Sequence, residues 1–285
     1  MKFLLLLLTL SLAVAAPLRA AEAVVESESM ADRTLKQLVD RQKDLLAEEA
    51  KKSPSFDADN FQTQMQLVCQ GYEVLLRDNP NYAPGYAAYG YLLGKIGQRK
   101  ASIAILMRAN KLDPDIALVK NQIGNFLAEE GRPLEALPYY LAAIKLEPKE
   151  PLYHYQLGTL LYTGRDDFIK SGEWTAVALD HAMHEAFRQA ADLAPDRIEF
   201  TYRYAESFYD LATPDWDAAL KAWTLLEAKA GSDIEKQTMR LHEANVLLKS
   251  GKSDHARVLL DTVTEPALAA QKQKLVAQLA APVEK

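Results

Sequence analysis

The chain has 285 residues, 49% hydrophobic and 25% charged, the balance of a folded globular protein and not of a disordered one. Lysine and arginine total 33 against 39 acids, a net charge of -6, and no basic run offers the footprint that a nucleic acid requires. A single cysteine, Cys69, excludes an internal disulfide framework and a cysteine-rich metal module.

Residues 1–20 read as an address. Met1-Lys2 is followed by an apolar, leucine-dominated run from Phe3 to Ala15, then by small residues with cleavage expected between about 15 and 23. The run is shorter than the roughly 20 residues that span a bilayer, and Arg19 closes it. No cysteine lies near the cut to carry a lipid anchor. The expectation is a bacterial protein, periplasmic or secreted, without a transmembrane anchor once the signal is removed. In an oxidising compartment a lone Cys69 is buried or pairs with another chain, and its helical setting favours burial.

Residues 24–80 predict a helix pair. Met30 to Lys51 is amphipathic through Leu35, Leu38, Val39, Leu45 and Leu46, and a loop at Ser53-Pro54-Ser55 follows. Asp57 or Asp59 then caps a helix carrying Met65, Val68, Tyr72 and Leu75 that ends near Pro80. Next comes a repeat. Lys111-Leu112-Asp113-Pro114 and Lys145-Leu146-Glu147-Pro148 are 34 residues apart. Ahead of the first proline stand Tyr86, Tyr89-Gly90, Leu93, Gly97, Ser102, Leu106 and Ala109; ahead of the second, at the same offsets, Ile123-Gly124, Leu127, Gly131, Ala136, Tyr140 and Ala143. Copies therefore occupy 83–116 and 117–150. A third, 151–197, starts at Leu157-Gly158 and closes late at Phe187, Ala190 and Pro195, with an insertion at 165–176. A fourth covers 198–231 with Tyr204-Ala205, Ala219 and Trp223, and a weak fifth covers 233–265 with Ala244, Leu247, Gly251, Ala256 and Leu260. Pro266 opens a capping helix within 266–285.

This skeleton resembles the tetratricopeptide repeat, over roughly residues 30–280. The resemblance implies an all-α, right-handed α-solenoid of stacked antiparallel helix pairs with a concave groove. Gly90, Gly124 and Gly158 then let paired helices approach, so a leucine at Gly124 is expected to overpack by about 1–3 kcal/mol. Ala109, Ala143 and Ala190 make room for the next repeat. Pro138 falls inside a second helix and is expected to kink it.

In this family the groove is lined by positions two, five, nine and twelve of each first helix. Carried over, these are Ala87 and Tyr91; Asn121, Asn125 and Ala128; Tyr155, Thr159 and Tyr162; and Glu199, Tyr202, Glu206 and Tyr209. Tyrosine offers a large contact area with a hydroxyl, and amides bond a peptide backbone, so the partner implied is another protein or a peptide segment. Some members hold a C-terminal carboxylate with lysines and asparagines. Ala87, Tyr91 and Tyr155 stand where those partners belong, so carboxylate capture is not expected.

Within the insertion, Phe168 and Trp174 either form a second contact with the partner or fold back onto the solenoid. Asp180, His181, His184 and Glu185 are the only His/acid cluster; the two histidines can share a helix face and reach a metal, but their spacing is not that of a metalloprotease. No nucleophile with a base, glycine-rich phosphate loop or paired-acid cleft is recognisable, and nothing calls for a cofactor. The sequence therefore points to an exported scaffold that holds a partner segment. A subunit self-assembling through its terminal helices is the alternative, and a metal enzyme at His181/His184 a remote one.

Overall fold

The N-terminal helices start on side-chain caps. In the computed structural model, which describes residues 29–51, 53 and 56–280, α1 (Met30–Ala50) opens on Ser29, whose hydroxyl accepts the Asp32 amide while Asp32 accepts the Ser29 amide. Asp57 caps α2 (Ala58–Asp78) by accepting from the Asn60 amide at 2.9 Å. Both satisfy amides with no partner inside the helix. The segment called a signal peptide lies outside the described residues.

α3 (Ala83–Lys95), α6 (Pro133–Leu146) and α7 (Pro151–Thr163) instead carry proline in the first turn, where its fixed φ suits a helix start. α4 (Arg99–Leu112) and α5 (Ala117–Glu129) lie between them. The turn from α3 to α4 needs a left-handed residue, supplied by Gly97 at φ 78°, and the Gln98 amide closes the helix end on the Leu93 carbonyl at 2.8 Å. Gly131 does the same one repeat later, and Gly251 near the C-terminus. α6 continues through Pro138, which is exposed.

After α7 come α8 (Arg165–Lys170), α9 (Ala176–Leu193), α10 (Ile198–Ser207) with a 3-10 turn at Phe208–Asp210, and α11 (Trp216–Lys229). α12 (Asp233–Lys249), α13 (Ser253–Asp261), a 3-10 turn at Pro266–Leu268 and α14 (Ala269–Ala280) complete the stack. The pairs are α1/α2, α3/α4, α5/α6, α7/α9, α10/α11 and α12/α13, with each second helix packing on the first helix of the next pair. α14 covers α12 and α13. The chain is an α-solenoid of helix pairs. No helix among the described residues is long and apolar enough to cross a membrane.

The core runs along the stack as a succession of clusters. Ala109, Ala143 and Ala190 are fully buried between pairs. The glycine crossings are unequal. A Cβ on Gly90 would lie 2.7 Å from Leu106, and one on Gly158 2.7 Å from Phe187, whereas one on Gly124 would meet the Tyr140 ring at 3.4 Å. Close approach is thus obligatory at Gly90 and Gly158; at Gly124 a methyl fits and only a larger side chain overpacks.

Of the two readings of the insertion, folding back is the one seen, and the expected burial of Cys69 is only partial. The insertion does not protrude: α8 packs on α6, α7 and α9, Phe168 is fully buried, and Trp174 meets its ring edge-on at 6.2 Å. Arg165 clamps this helix with two bonds to the buried Asp180, at 2.7 and 3.0 Å. Apolar side chains in an amphipathic turn found a core to enter, so Phe168 is no partner contact. Cys69 is only half-buried and lines a cleft of about 760 Å³ between α2 and α3, where burial and Glu73 push its thiol up.

Candidate functional site

The first helices of the pairs stand side by side. α3 packs on α5 and α5 on α7, while ring contacts join α7 to α10 and α10 to α12. Along this row the residues expected at the groove fall into three groups.

The first group is Tyr91 and Asn125, which share a cavity of about 240 Å³ with Lys95, Gln122 and Gln156. Tyr140 donates its hydroxyl to Asn125 Oδ1 at 2.6 Å, fixing that amide from behind. The Lys95 ammonium lies 5.3 Å from the Tyr91 ring centre. Asn121 departs from expectation. It is fully buried and bonds Gln156 of α7, so it joins consecutive first helices and offers a partner no surface. Ala87 is likewise in the core. In both cases the fifth position of the helix turns inward between neighbouring helices.

The second group lies on α7. The Tyr155 ring packs 4.7 Å from Phe200 and 5.8 Å from Phe187, and burial followed by Glu199 pushes its hydroxyl up. Thr159 donates to the Tyr155 carbonyl at 2.9 Å. Tyr162 is 45% exposed, with the Arg203 guanidinium 4.6 Å from its ring, and Arg203 is also paired with Glu206.

The third group joins α10 to α12. Tyr202 meets Trp223 edge-on at 5.1 Å, and its hydroxyl lies 3.2 Å from His242 Nε2. Tyr209 donates to the His242 carbonyl at 3.3 Å, and burial pushes its hydroxyl up to about 12. The His242 ring lies flat on Trp223 at 3.9 Å, and burial lowers its pKa. The row thus presents partly exposed phenols, amides and the Lys95 ammonium on a braced framework. Those groups can hold polar and aromatic parts of a ligand.

The His/acid cluster is dispersed. His184 Nδ1 is 2.8 Å from the Ser207 hydroxyl, with Phe208 and Tyr204 rings 4.5 and 5.2 Å away, and burial lowers its pKa to about 4. His181 is exposed, Asp180 is taken by Arg165, and Glu185 by Arg188. Among the described residues no group of three or more His, Cys, Asp and Glu could hold a metal.

Sequence reasoning missed Gln122, Gln156, Arg203 and His242. The first three lie one helical position beside those carried over. His242 holds the same place, two residues before the small one, in the fifth repeat, to which no groove position is carried.

The Tetratricopeptide repeat pattern matches residues 83–116 and 117–150. No curated protein matches the sequence. Among solved structures, PilF of Pseudomonas aeruginosa superposes with a TM-score of 0.59 at 15% identity, over 88% of this chain and 100% of its own. YrrB, a tetratricopeptide-repeat protein with an unusual peptide-binding site, superposes with a TM-score of 0.59 at 16% identity, over 72% of this chain and 99% of its own. Residues 83–150 match the tetratricopeptide repeat, and the chain has the all-α solenoid fold of these structures.

Proposed function

We propose that the protein is an exported, non-catalytic scaffold that holds an extended segment of a partner protein along the row of first helices. The observation that carries this reading is the alignment of Tyr91, Asn125, Thr159, Tyr162, Tyr202 and Glu206 on successive first helices, with Tyr209 in the turn that follows α10, each partly exposed or exposed. Aromatic side chains of low entropy beside amides match the chemistry of a peptide backbone. Solenoids commonly use this face because curvature makes it continuous. The peptide-binding site of YrrB, on a similar fold, supports the reading. Export rests on residues 1–20 alone.

The variant to test it pairs Tyr91→Ala with Tyr162→Ala, which touch little of the core; Tyr155 and Tyr202 brace neighbouring helices and are poor choices. Binding to an array of extended peptides should fall at least about tenfold, or about 1.4 kcal/mol, while the melting temperature stays. Undiminished binding by the folded variant would remove the row as the working surface.

A further inference from the structure

The last repeat junction contains a carboxyl where the others are apolar or phenolic. The residue before the small one at each helix crossing is Tyr89, Ile123, Leu157 and Tyr204 in the first four repeats, and Glu243 in the fifth. Glu243 is 7% exposed, and its Oε1 is buried without a hydrogen bond. Across the junction stands Glu227 of α11, held by Arg240 at 2.6 Å. An ionised Glu243 would put a second negative charge beside Glu227 and leave an acceptor unsatisfied. A protonated one has a donor to offer. α3 solves the same position with a donor: the Tyr89 hydroxyl donates to the Glu73 carboxylate of α2 at 3.1 Å.

We propose that Glu243 is protonated in the folded protein and donates to the Glu227 carboxylate, so that the junction of α11 and α12 is held by a proton and weakens when that proton leaves. Burial first, then the Glu227 charge, pushes the Glu243 carboxyl up to about 7. The groups facing it are few. From α11 these are Glu227 and Thr224, and from its own helix Arg240. On α13, Asp254, His255, Arg257 and Asp261 are exposed; on α14, Lys272 bonds the Val263 carbonyl and Lys274 is exposed. None neutralises the pair beyond Arg240.

The sign follows from linkage. A carboxyl with a raised folded pKa contributes stability that is full below its unfolded value near 4.5 and is lost as pH rises through about 7. His184 and His242, both lowered, act oppositely, losing stability as pH falls. Because His242 adjoins Glu243 and bonds Tyr202, a loosened α12 also releases one end of the candidate groove; that consequence alone rests on the proposed function.

The test is a carbon-13 NMR titration of the glutamate carboxyls of the full chain, with Glu243→Gln and Glu227→Gln alongside. One carboxyl should titrate at least about one unit above the ordinary glutamate value, vanish in Glu243→Gln, and move down in Glu227→Gln. The melting temperature of the wild type should fall from about pH 5 to about pH 8 more than that of Glu243→Gln. If no carboxyl titrates above about pH 5.5, the proton is absent and the proposal is overturned, whether or not the variants fold. A resonance that titrates high but is untouched by Glu227→Gln would overturn the pairing. Neither readout needs a partner, so failure here is separable from failure of the groove.

Discussion

Gly158 and Gly124 occupy the same place in successive repeats, yet they face different neighbours. The Phe187 ring presses to within 2.7 Å of a Cβ built on Gly158, while Tyr140 leaves 3.4 Å at Gly124. Replacing Gly158 with alanine should therefore cost about 1–3 kcal/mol by overpacking. The same change at Gly124 should be neutral or stabilising by up to about 1 kcal/mol, since alanine is the better helix former. Urea unfolding of the two variants decides this, and an equal loss in both would mean that the crossings are equivalent after all. Repeat position marks where a small residue is required, but the distance to the opposing ring sets how small. Asn121 teaches the same lesson: a position that lines the groove by rule is turned inward here to bond Gln156.

Among elements, α8 shows best what the sequence withheld. The late arrival of Phe187 and Pro195 located the insertion, because spacing along the chain is explicit. Its placement depended on contacts with α6, α7 and α9 that spacing does not encode. Phe168 is fully buried there, so Phe168→Ala should destabilise the chain by about 3–5 kcal/mol. Trp174→Ala, at a partly exposed site, should lower the melting temperature less. Differential scanning calorimetry checks both, and an unchanged melting temperature for Phe168→Ala would return the insertion to the surface. The helix pairs were legible for a different reason: apolar period, Schellman glycines and closing prolines all act within a few residues of one another. α12 was less so, because its first turn precedes the repeat skeleton that Ala244 and Gly251 define.

At the scale of the whole molecule, each pair buries its faces on the next, so the row of first helices is held in place by the stack. Its two ends differ in chemistry. Near α3 and α5 the row offers amides and the Lys95 ammonium; near α10 and α12 it offers stacked aromatic rings around His242. A partner segment laid along the row would meet both. The central claim is that this row, and not the outer helices, is the working surface. Photo-crosslinking tests it most directly, with a crosslinking residue placed at Tyr162 on the row and, separately, at Leu225, an exposed residue on the second helix α11. The account predicts one discrete adduct from position 162 and none from 225; the same adduct from 225 alone would contradict it.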